Sequence, residues 1–164
     1  MTISLEHTLL EEAKASLTSA KRLVDNAIEQ IPEEQLHISL DGETNCIAVI
    51  MKHLASTLKS RWTDFLTTDG EKPWRNREDE FVDTLSGQSL LDSWDDGWKC
   101  LFDTLDSLTP DDLRKTVTIR GESQTVTQAI SRTLIHACIH AGQILLLARH
   151  VAGPKWKMIW NKSK

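Results

Sequence analysis

The segment TVTQAISRTLIHACIHAGQILLLARHVAGP, residues 125–154, decides the fold of this chain. Its apolar residues recur every three or four positions, which is the spacing of one face of an α-helix. Thr125 and Gln128 form a capping box at its start, and Gly153, followed by a proline, marks its end. The segment therefore predicts a helix over about residues 127 to 151. Its buried seam consists of Ile130, Leu134, Ala137, Ala141, Ile144 and Ala148.

The same periodicity predicts three more helices upstream of this one. They cover about residues 3–31, 45–66 and 90–108. Pro32 ends the first helix, because proline cannot continue it. Thr44 is the predicted N-cap of the second helix. Ser89, with Asp92 three residues further on, resembles a capping box and predicts the start of the third helix.

The connections between the helices differ in length and composition. Residues 67–89 form a polar connection that is long enough to return the chain along a bundle, so that the second and third helices would run parallel. Residues 115–126 alternate in polarity around an Arg-Gly-Glu turn and predict a small β-hairpin before the last helix. The sequence thus predicts an all-α fold, a four-helix bundle with this hairpin, in a single domain that spans residues 1–164.

The balance of charges excludes some classes of partner. The 19 Lys and Arg residues and 24 Asp and Glu residues give a formal net charge of −5, and the basic residues are scattered along the chain. Binding to a nucleic acid backbone or to an anionic membrane surface requires a concentrated cationic face. We therefore expect neither a nucleic acid nor a membrane as a partner.

The cysteines and the apolar stretches bear on the cellular compartment. Cys46, Cys100 and Cys138 are too few and too isolated for a disulfide framework, and reduced thiols are typical of cytoplasmic proteins. The first 20 residues lack the apolar core of a signal peptide. The uncharged stretch 133–148 contains two histidines and is too short to span a bilayer. We expect a cytoplasmic protein.

Two histidines on the last predicted helix are candidate metal ligands. His136 and His140 are four residues apart, so their side chains lie one above the other on the same face. Two imidazoles at this spacing can bind one metal ion, as they do in zinc-binding helices. Their face carries no charged side chain and flanks the buried seam, where an unpartnered imidazole is costly. Such pairs are also common on ordinary helices, so each histidine alone is equally compatible with a structural role.

A third histidine, His53, flanks the seam of the second predicted helix. It lies about two turns into that helix, and His140 lies about three turns from the end of the last helix. If these two helices run antiparallel, the three imidazoles lie at similar depths. We predict that His53, His136 and His140 bind one divalent transition metal and leave part of its coordination sphere open, as catalytic sites require. The alternative is that the three are satisfied core or boundary residues.

The chain resembles the DinB/YfiT-like superfamily of bacterial metal-binding four-helix bundles. The resemblance extends over nearly the whole chain and is strongest in two stretches. These are TNCIAVIMKHLASTLKSRWTDFLTTDGEKPWRNREDEF, residues 44–81, and LIHACIHAGQILLLARHVAGPKW, residues 134–156. The first is similar to a subfamily that has no assigned reaction. The second contains the H-x-x-x-H motif of the superfamily, followed by Gly-Gln.

The resemblance implies both a fold and a metal. The fold is an up-down-down-up bundle that frequently forms homodimers. The metal, nickel or zinc, would be bound by His53, His136 and His140. Characterised members are thiol-dependent transferases and isomerases that use bacillithiol or mycothiol, and others are classed as metal-dependent hydrolases. Members are bacterial proteins.

Several residues near the expected site are candidates for a substrate pocket. They are Arg61, Trp62, Asp64, Arg75 and Gln143. A pair of arginines could hold a carboxylate or phosphate of the substrate, and Gln143 could orient a ligand or a water molecule. The alternative is a solvated helix end followed by a polar loop.

Two functions are compatible with this sequence. The first is a metal-dependent enzyme, a thiol S-transferase or a hydrolase, that acts on a small-molecule substrate with or without a low-molecular-weight thiol. No catalytic residue is identified, although Asp64 and Glu71 are candidates for a general base. The second is a non-catalytic dimeric binding or interaction module, associated with stress, in which the metal site is structural or vestigial.

Overall fold

The computed structural model of the protein describes residues 4–159. This part of the chain is mostly helical, with four α-helices and one two-stranded antiparallel hairpin. The helices are α1 (Leu5–Ile28), α2 (Ile47–Trp62), α3 (Gly87–Ser107) and α4 (Val126–Ala152). The hairpin strands are β1 (Thr116–Ile119) and β2 (Glu122–Thr125). The predictions of four helices and of a hairpin before the last helix are confirmed.

The capping box of α4 forms as predicted. The backbone N–H of Gln128 donates to the Thr125 hydroxyl at 3.2 Å, and the backbone N–H of Thr125 donates to the Gln128 side chain at 2.8 Å. Gly153 ends the helix with a φ of 52°, a conformation that suits glycine. These signals are local in sequence, and the boundaries of α4 therefore agree closely with the prediction.

The predicted start and end of α2 are wrong by a few residues. Cys46, and not Thr44, is the N-cap, because the backbone of Thr44 belongs to a turn in which its N–H donates to Asp41 and its carbonyl accepts from Ser39. The helix ends at Trp62, four residues before the predicted end. Asp64 follows with a φ of 48°, which turns the chain out of the helix.

The start of α3 lies three residues before the predicted one. Ser86 is the N-cap, and Ser89 is the third residue of the helix. The Ser89 hydroxyl accepts from the backbone N–H of Ser86 at 3.3 Å and donates to its carbonyl at 2.7 Å. The predicted pair of Ser89 and Asp92 is therefore not the cap, because a second serine lies at the same spacing one turn earlier.

Side-chain contacts give the relative directions of the helices. Gly97 of α3 packs against the backbone of Ala55 in α2, and further along both helices Thr104 donates to the carbonyl of Trp62 at 2.9 Å. The second and third helices therefore run parallel, as predicted. Helices α1 and α3 run antiparallel. This follows from the Trp94–Asp25 hydrogen bond and the Lys14–Asp106 ion pair.

A continuous apolar core joins the four helices. Its most deeply buried members come from every helix and include Leu17, Met51, Leu54, Leu58, Leu101, Leu105 and Ile144. Burial of each large aliphatic side chain contributes about 1.5 to 3 kcal/mol. Two tryptophans of α3, Trp94 and Trp98, meet edge to face at 5.5 Å within this core. The core holds α2 and α4 in fixed positions, and these are the helices that carry the candidate ligands.

The apolar part of α4 extends beyond residues 133–148, the uncharged stretch from which we predicted that this helix is too short to span a bilayer. By length and composition alone, residues Val126–Lys155 are long and apolar enough to cross a membrane. A core helix meets the same criterion, and here Ile130, Ala137 and Ile144 of the predicted seam are buried against the other helices.

Candidate metal centre

The three predicted histidine ligands converge between α2 and α4. The Nε2 atom of His136 lies 3.3 Å from Nε2 of His53 and 3.0 Å from Nε2 of His140. The ligand atoms of the three side chains all lie within 4.8 Å of one another. Spacing on α4 brings two of them together. Val49 near the start of α2 and Leu146 near the end of α4 line the same cavity, so these helices run antiparallel, and this packing brings the third. The cluster could therefore hold a metal ion.

His53 is oriented by a buried carboxylate. Its Nδ1 lies 2.9 Å from Oε2 of Glu80, and its ring stacks on Phe81 with the ring centroids 4.8 Å apart. A carboxylate can only accept, so Nδ1 carries the proton and Nε2 offers a lone pair to the cluster. A carboxylate in this position fixes the tautomer of a metal-ligating histidine and raises its basicity.

Glu80 is held in place by several donors. Its carboxylate is 2% exposed, and its two oxygens accept from Ser56 and from both Nε and Nη2 of Arg75. Burial by itself raises the pKa of Glu80, but the hydrogen bonds from His53 and the other donors outweigh burial and lower the pKa to about 2. Glu80 is therefore an anion at neutral pH.

Lys52 fixes the loop that supplies Glu80. This lysine precedes His53 on α2, and its Nζ donates to the carbonyls of Asp79 and Val82 and to the hydroxyl of Thr84. The predicted polar connection between α2 and α3 is thus anchored over the histidines. Glu80 was missed from the sequence. The only signal was an acidic run in the long loop, and the histidine it would contact could not be read from the sequence.

The two histidines of α4 have different surroundings. Nδ1 of His140 lies 2.7 Å from the side-chain oxygen of Gln143, so this nitrogen donates and Nε2 is again left for the cluster. Burial lowers the pKa of His140. Burial, followed by the charges of His140 and Arg61, lowers the pKa of His136 to about 3. His136 is therefore neutral at pH 7, which is the form that binds metals.

A cavity of about 380 Å³ opens beside the cluster. Its walls include His53, Phe81, His140, Gln143, Leu146 and Leu147. Apolar side chains with a few polar groups are typical of a small-molecule site. A larger cavity of about 630 Å³ lies between α1 and the start of α3, and none of the three histidines contacts it.

The predicted pocket residues are distributed unevenly around the cluster. Gln143 lines the cavity and contacts His140. Arg75 acts through Glu80, and its own side chain is 1% exposed. Arg61 lies two turns along α2 from His53, near enough for its charge to help lower the pKa of His136. Its Nε is buried without a hydrogen-bond partner among the described residues.

The remaining two candidates lie apart from the cluster. Trp62 is 1% exposed and stacks on Phe65 at 4.3 Å, so it packs in the core. Asp64 is exposed, and its carbonyl accepts from the backbone N–H groups of Thr67 and Thr68 in a turn. Glu71, a candidate general base, is paired with Arg75 and Arg120.

The fold and the site define a helical protein with a three-histidine cluster beside an apolar cavity. A family model described as Protein of unknown function (DUF1572) matches residues 4–162 of the chain. The match covers nearly all of the sequence, and the chain belongs to this family. No curated protein and no solved structure shows a significant match to the chain.

Proposed function

We propose that this protein is a metal-dependent enzyme with its metal on His53, His136 and His140. The observation that carries the proposal is the convergence of three Nε2 atoms, two of which belong to rings whose Nδ1 is hydrogen-bonded to Glu80 or Gln143. This is the arrangement that orients histidine ligands. The helix directions support our proposal that the chain forms an up-down-down-up four-helix bundle of the DinB/YfiT type, in a single domain.

The donor set favours particular metals. Imidazole nitrogens suit zinc and nickel, whereas magnesium and calcium prefer oxygen ligands. A divalent ion on three neutral ligands keeps its full positive charge and lowers the pKa of a water molecule or thiol that it binds. Within the chain, Glu80 and Gln143 orient two of the three histidine ligands.

The substrate is proposed to be a small molecule bound in the cavity of about 380 Å³. Phe81 and Leu147 would pack on its apolar part and exclude water from the reacting groups. The reaction is proposed to be either a thiol transfer, with a low-molecular-weight thiol as co-substrate, or a hydrolysis. Both fit a cytoplasmic bacterial protein.

A specific observation favours a role in association as well. Helix α4 exposes a row of large apolar residues on the side away from its seam: Ile135, Ile139 and Leu146 are 61%, 55% and 68% exposed. Apolar rows of this kind mark interaction surfaces. We propose that two copies of the chain meet here as a homodimer. If the metal site is structural or vestigial, the protein would act as a dimeric binding module.

Metal analysis and substrate screening test the proposed enzyme. Protein purified without a histidine tag should contain close to one zinc or nickel ion per chain. It should then turn over members of a panel of thiol-transfer and hydrolase substrates, and a chelator should remove that activity. Bound metal without any turnover across the panel would favour the non-catalytic module. Absence of bound metal after reconstitution would contradict the proposed enzyme and a structural metal site.

A further inference from the structure

A cluster of arginines lies next to the histidines and is not explained by the metal site. Arg61 of α2 is two helical turns from His53, about 12 Å along the axis. Arg132 of α4 is one turn before His136 on the same face, so the expectation that this face carries no charged side chain is wrong. Because α2 and α4 run antiparallel, both arginines lie on the same side of the histidine cluster, towards the hairpin.

The hairpin brings a third arginine to this place. Asp69 accepts from the backbone N–H groups of Arg120 and Gly121 at the hairpin turn, at 2.9 and 2.8 Å. Gly70 packs between Ile119 and the backbone of Arg61, where a Cβ would lie 2.9 Å from the isoleucine and 3.5 Å from Cα of the arginine. The turn is therefore fixed against α2, and Arg120 extends from it.

Four arginines lie near the histidines, and their charges are compensated in different ways: Arg61, Arg75, Arg120 and Arg132. Arg75 is fully engaged by Glu80, Glu71 and Thr57. Arg120 pairs with the same Glu71 at 3.0 Å. Glu71 and Glu80 are thus already paired with Arg75 or Arg120, and Glu80 also orients His53.

Arg61 and Arg132 have no carboxylate partner among the described residues. Nε of Arg61 is buried without a hydrogen bond, and Arg132 donates to the amide oxygen of Gln124 at 3.2 Å. Burial, followed by the charges of Arg75, Arg120 and Arg132, lowers the pKa of Arg61 to about 10. Arg61 is half-buried, and its Nε has neither solvent contact nor a hydrogen-bond partner, which is costly for part of a charged group. Arg132 is exposed.

We propose that Arg61 and Arg132 bind an oxyanion of the substrate, a carboxylate or a phosphate. Guanidinium groups bind both of these anions through paired N–H donors. The anion would lie about one to two helical turns from the histidines, roughly 6 to 12 Å. The substrate is therefore an amphipathic molecule whose reacting group lies at the histidines and whose anionic end lies towards the hairpin. That the bound anion belongs to a substrate rests on the proposed function. The anion site itself does not require the metal.

Titration calorimetry on metal-free protein tests the anion site. The probes are inorganic phosphate and sodium acetate, each compared with sodium chloride at the same ionic strength, and the variants are Arg61→Gln and Arg132→Gln. Arg149→Gln is the matched control, because it removes an exposed arginine near the far end of the same helix. Wild type and control should bind at least one of the probes, and both site variants should bind it at least tenfold more weakly. The probe that binds more tightly identifies the anion as phosphate or carboxylate.

Two results would overturn the anion site. One is the lack of saturable binding of either probe to the wild type. The other is equal binding by the wild type and by folded Arg132→Gln, a variant of an exposed residue. Zinc titration of the same proteins separates this proposal from the metal site. If Arg61→Gln loses anion binding and keeps zinc binding, both the anion site and the metal site stand. If the wild type does not bind zinc, only the proposed function is contradicted.

Discussion

Nδ1 of His53 lies 2.9 Å from Oε2 of Glu80, and this contact joins a helix to a loop residue 27 positions further along the chain. The carboxylate is itself bound by Arg75 and Ser56, so the orientation of His53 is set by a buried network and not by packing alone. A histidine that only filled the core would not need an ionised partner. The network therefore supports the proposal that His53 is a metal ligand.

Replacement of Glu80 by Gln should weaken metal binding without removing it. The amide can still contact His53, but it lacks the negative charge of the carboxylate, and such changes cost about 10- to 100-fold in affinity. Competition with a chromophoric chelator measures the loss for zinc. Glu78→Gln, a change at an exposed residue in the same loop, should leave the affinity unchanged. Equal affinities for the two variants would mean that Glu80 serves the loop and not the metal.

Arg61 of α2 and Arg75 of the loop after it should differ in how their replacement by Met changes the free energy of unfolding. Arg75→Met leaves Glu80 buried without its main partner and should cost about 3 to 5 kcal/mol in the free energy of unfolding. Arg61→Met removes a cation that has no carboxylate partner, and should be within about 1 kcal/mol of the wild type or more stable. Urea unfolding followed by circular dichroism, in a buffer free of oxyanions, provides the comparison. A loss as large for Arg61→Met as for Arg75→Met would show that Arg61 is a structural residue.

Two glycines in helices should also respond in opposite ways to replacement by Ala. A Cβ at Gly97 would lie 2.6 Å from the carbonyl oxygen of Ala55 and 2.7 Å from its Cα. Backbone atoms cannot move away cheaply, so Gly97→Ala should cost about 1 to 3 kcal/mol. A Cβ at Gly142 meets nothing within 4 Å, and Gly142→Ala should stabilise α4 by about 0.5 to 1 kcal/mol. Thermal unfolding of both variants checks this, and similar melting temperatures would contradict the close packing of α2 on α3.

The sequence predicts the helices well, because the information for them is local. The capping box of Thr125 and Gln128 and the glycine at position 153 act within one turn, and α4 begins and ends close to them. The start of α2 was wrong because Asp41 and Ser39 hold Thr44 in a turn. Competition of that kind between nearby polar side chains is not visible in a periodic pattern.

The candidate site was predictable only in part. His136 and His140 share a face through their spacing, and His53 follows from an antiparallel arrangement of two helices. Glu80 could not be placed, because the loop between α2 and α3 has no periodicity and its path depends on three hydrogen bonds from Lys52. Arg132 was not singled out either, since a lone arginine on a helix is usually a solvated residue.

The stability of the metal-free protein should depend on pH through His136. Its pKa is lowered from 6.5 to about 3 in the folded state, chiefly by burial. The unfolded state therefore binds a proton at this residue first as the pH falls. The contribution of His136 to stability is complete above pH 6.5 and is lost progressively down to about pH 3.

Thermal unfolding with chelator at pH 7, 6, 5 and 4 measures this effect. His136→Leu should lose less melting temperature between pH 7 and 4 than the wild type, because it has no imidazole to protonate. Groups away from the cluster titrate in both proteins and cancel in the difference. An identical pH dependence for the two proteins would mean that His136 is freely accessible to protons in the folded state.

The most direct test of the metal centre is a zinc titration of the wild type and His136→Ala at pH 7.5, with His150→Ala as the control. His150 is exposed near the end of the same helix, so its loss removes an imidazole without touching the cluster. Wild type and His150→Ala should bind one zinc ion per chain. His136→Ala should keep its helical circular dichroism spectrum and bind zinc at least 100-fold more weakly, because the nitrogen that lies within 3.3 Å of both other ligands is gone. Equal zinc binding by His136→Ala and the wild type would contradict the three-histidine metal centre and, with it, the proposed enzyme.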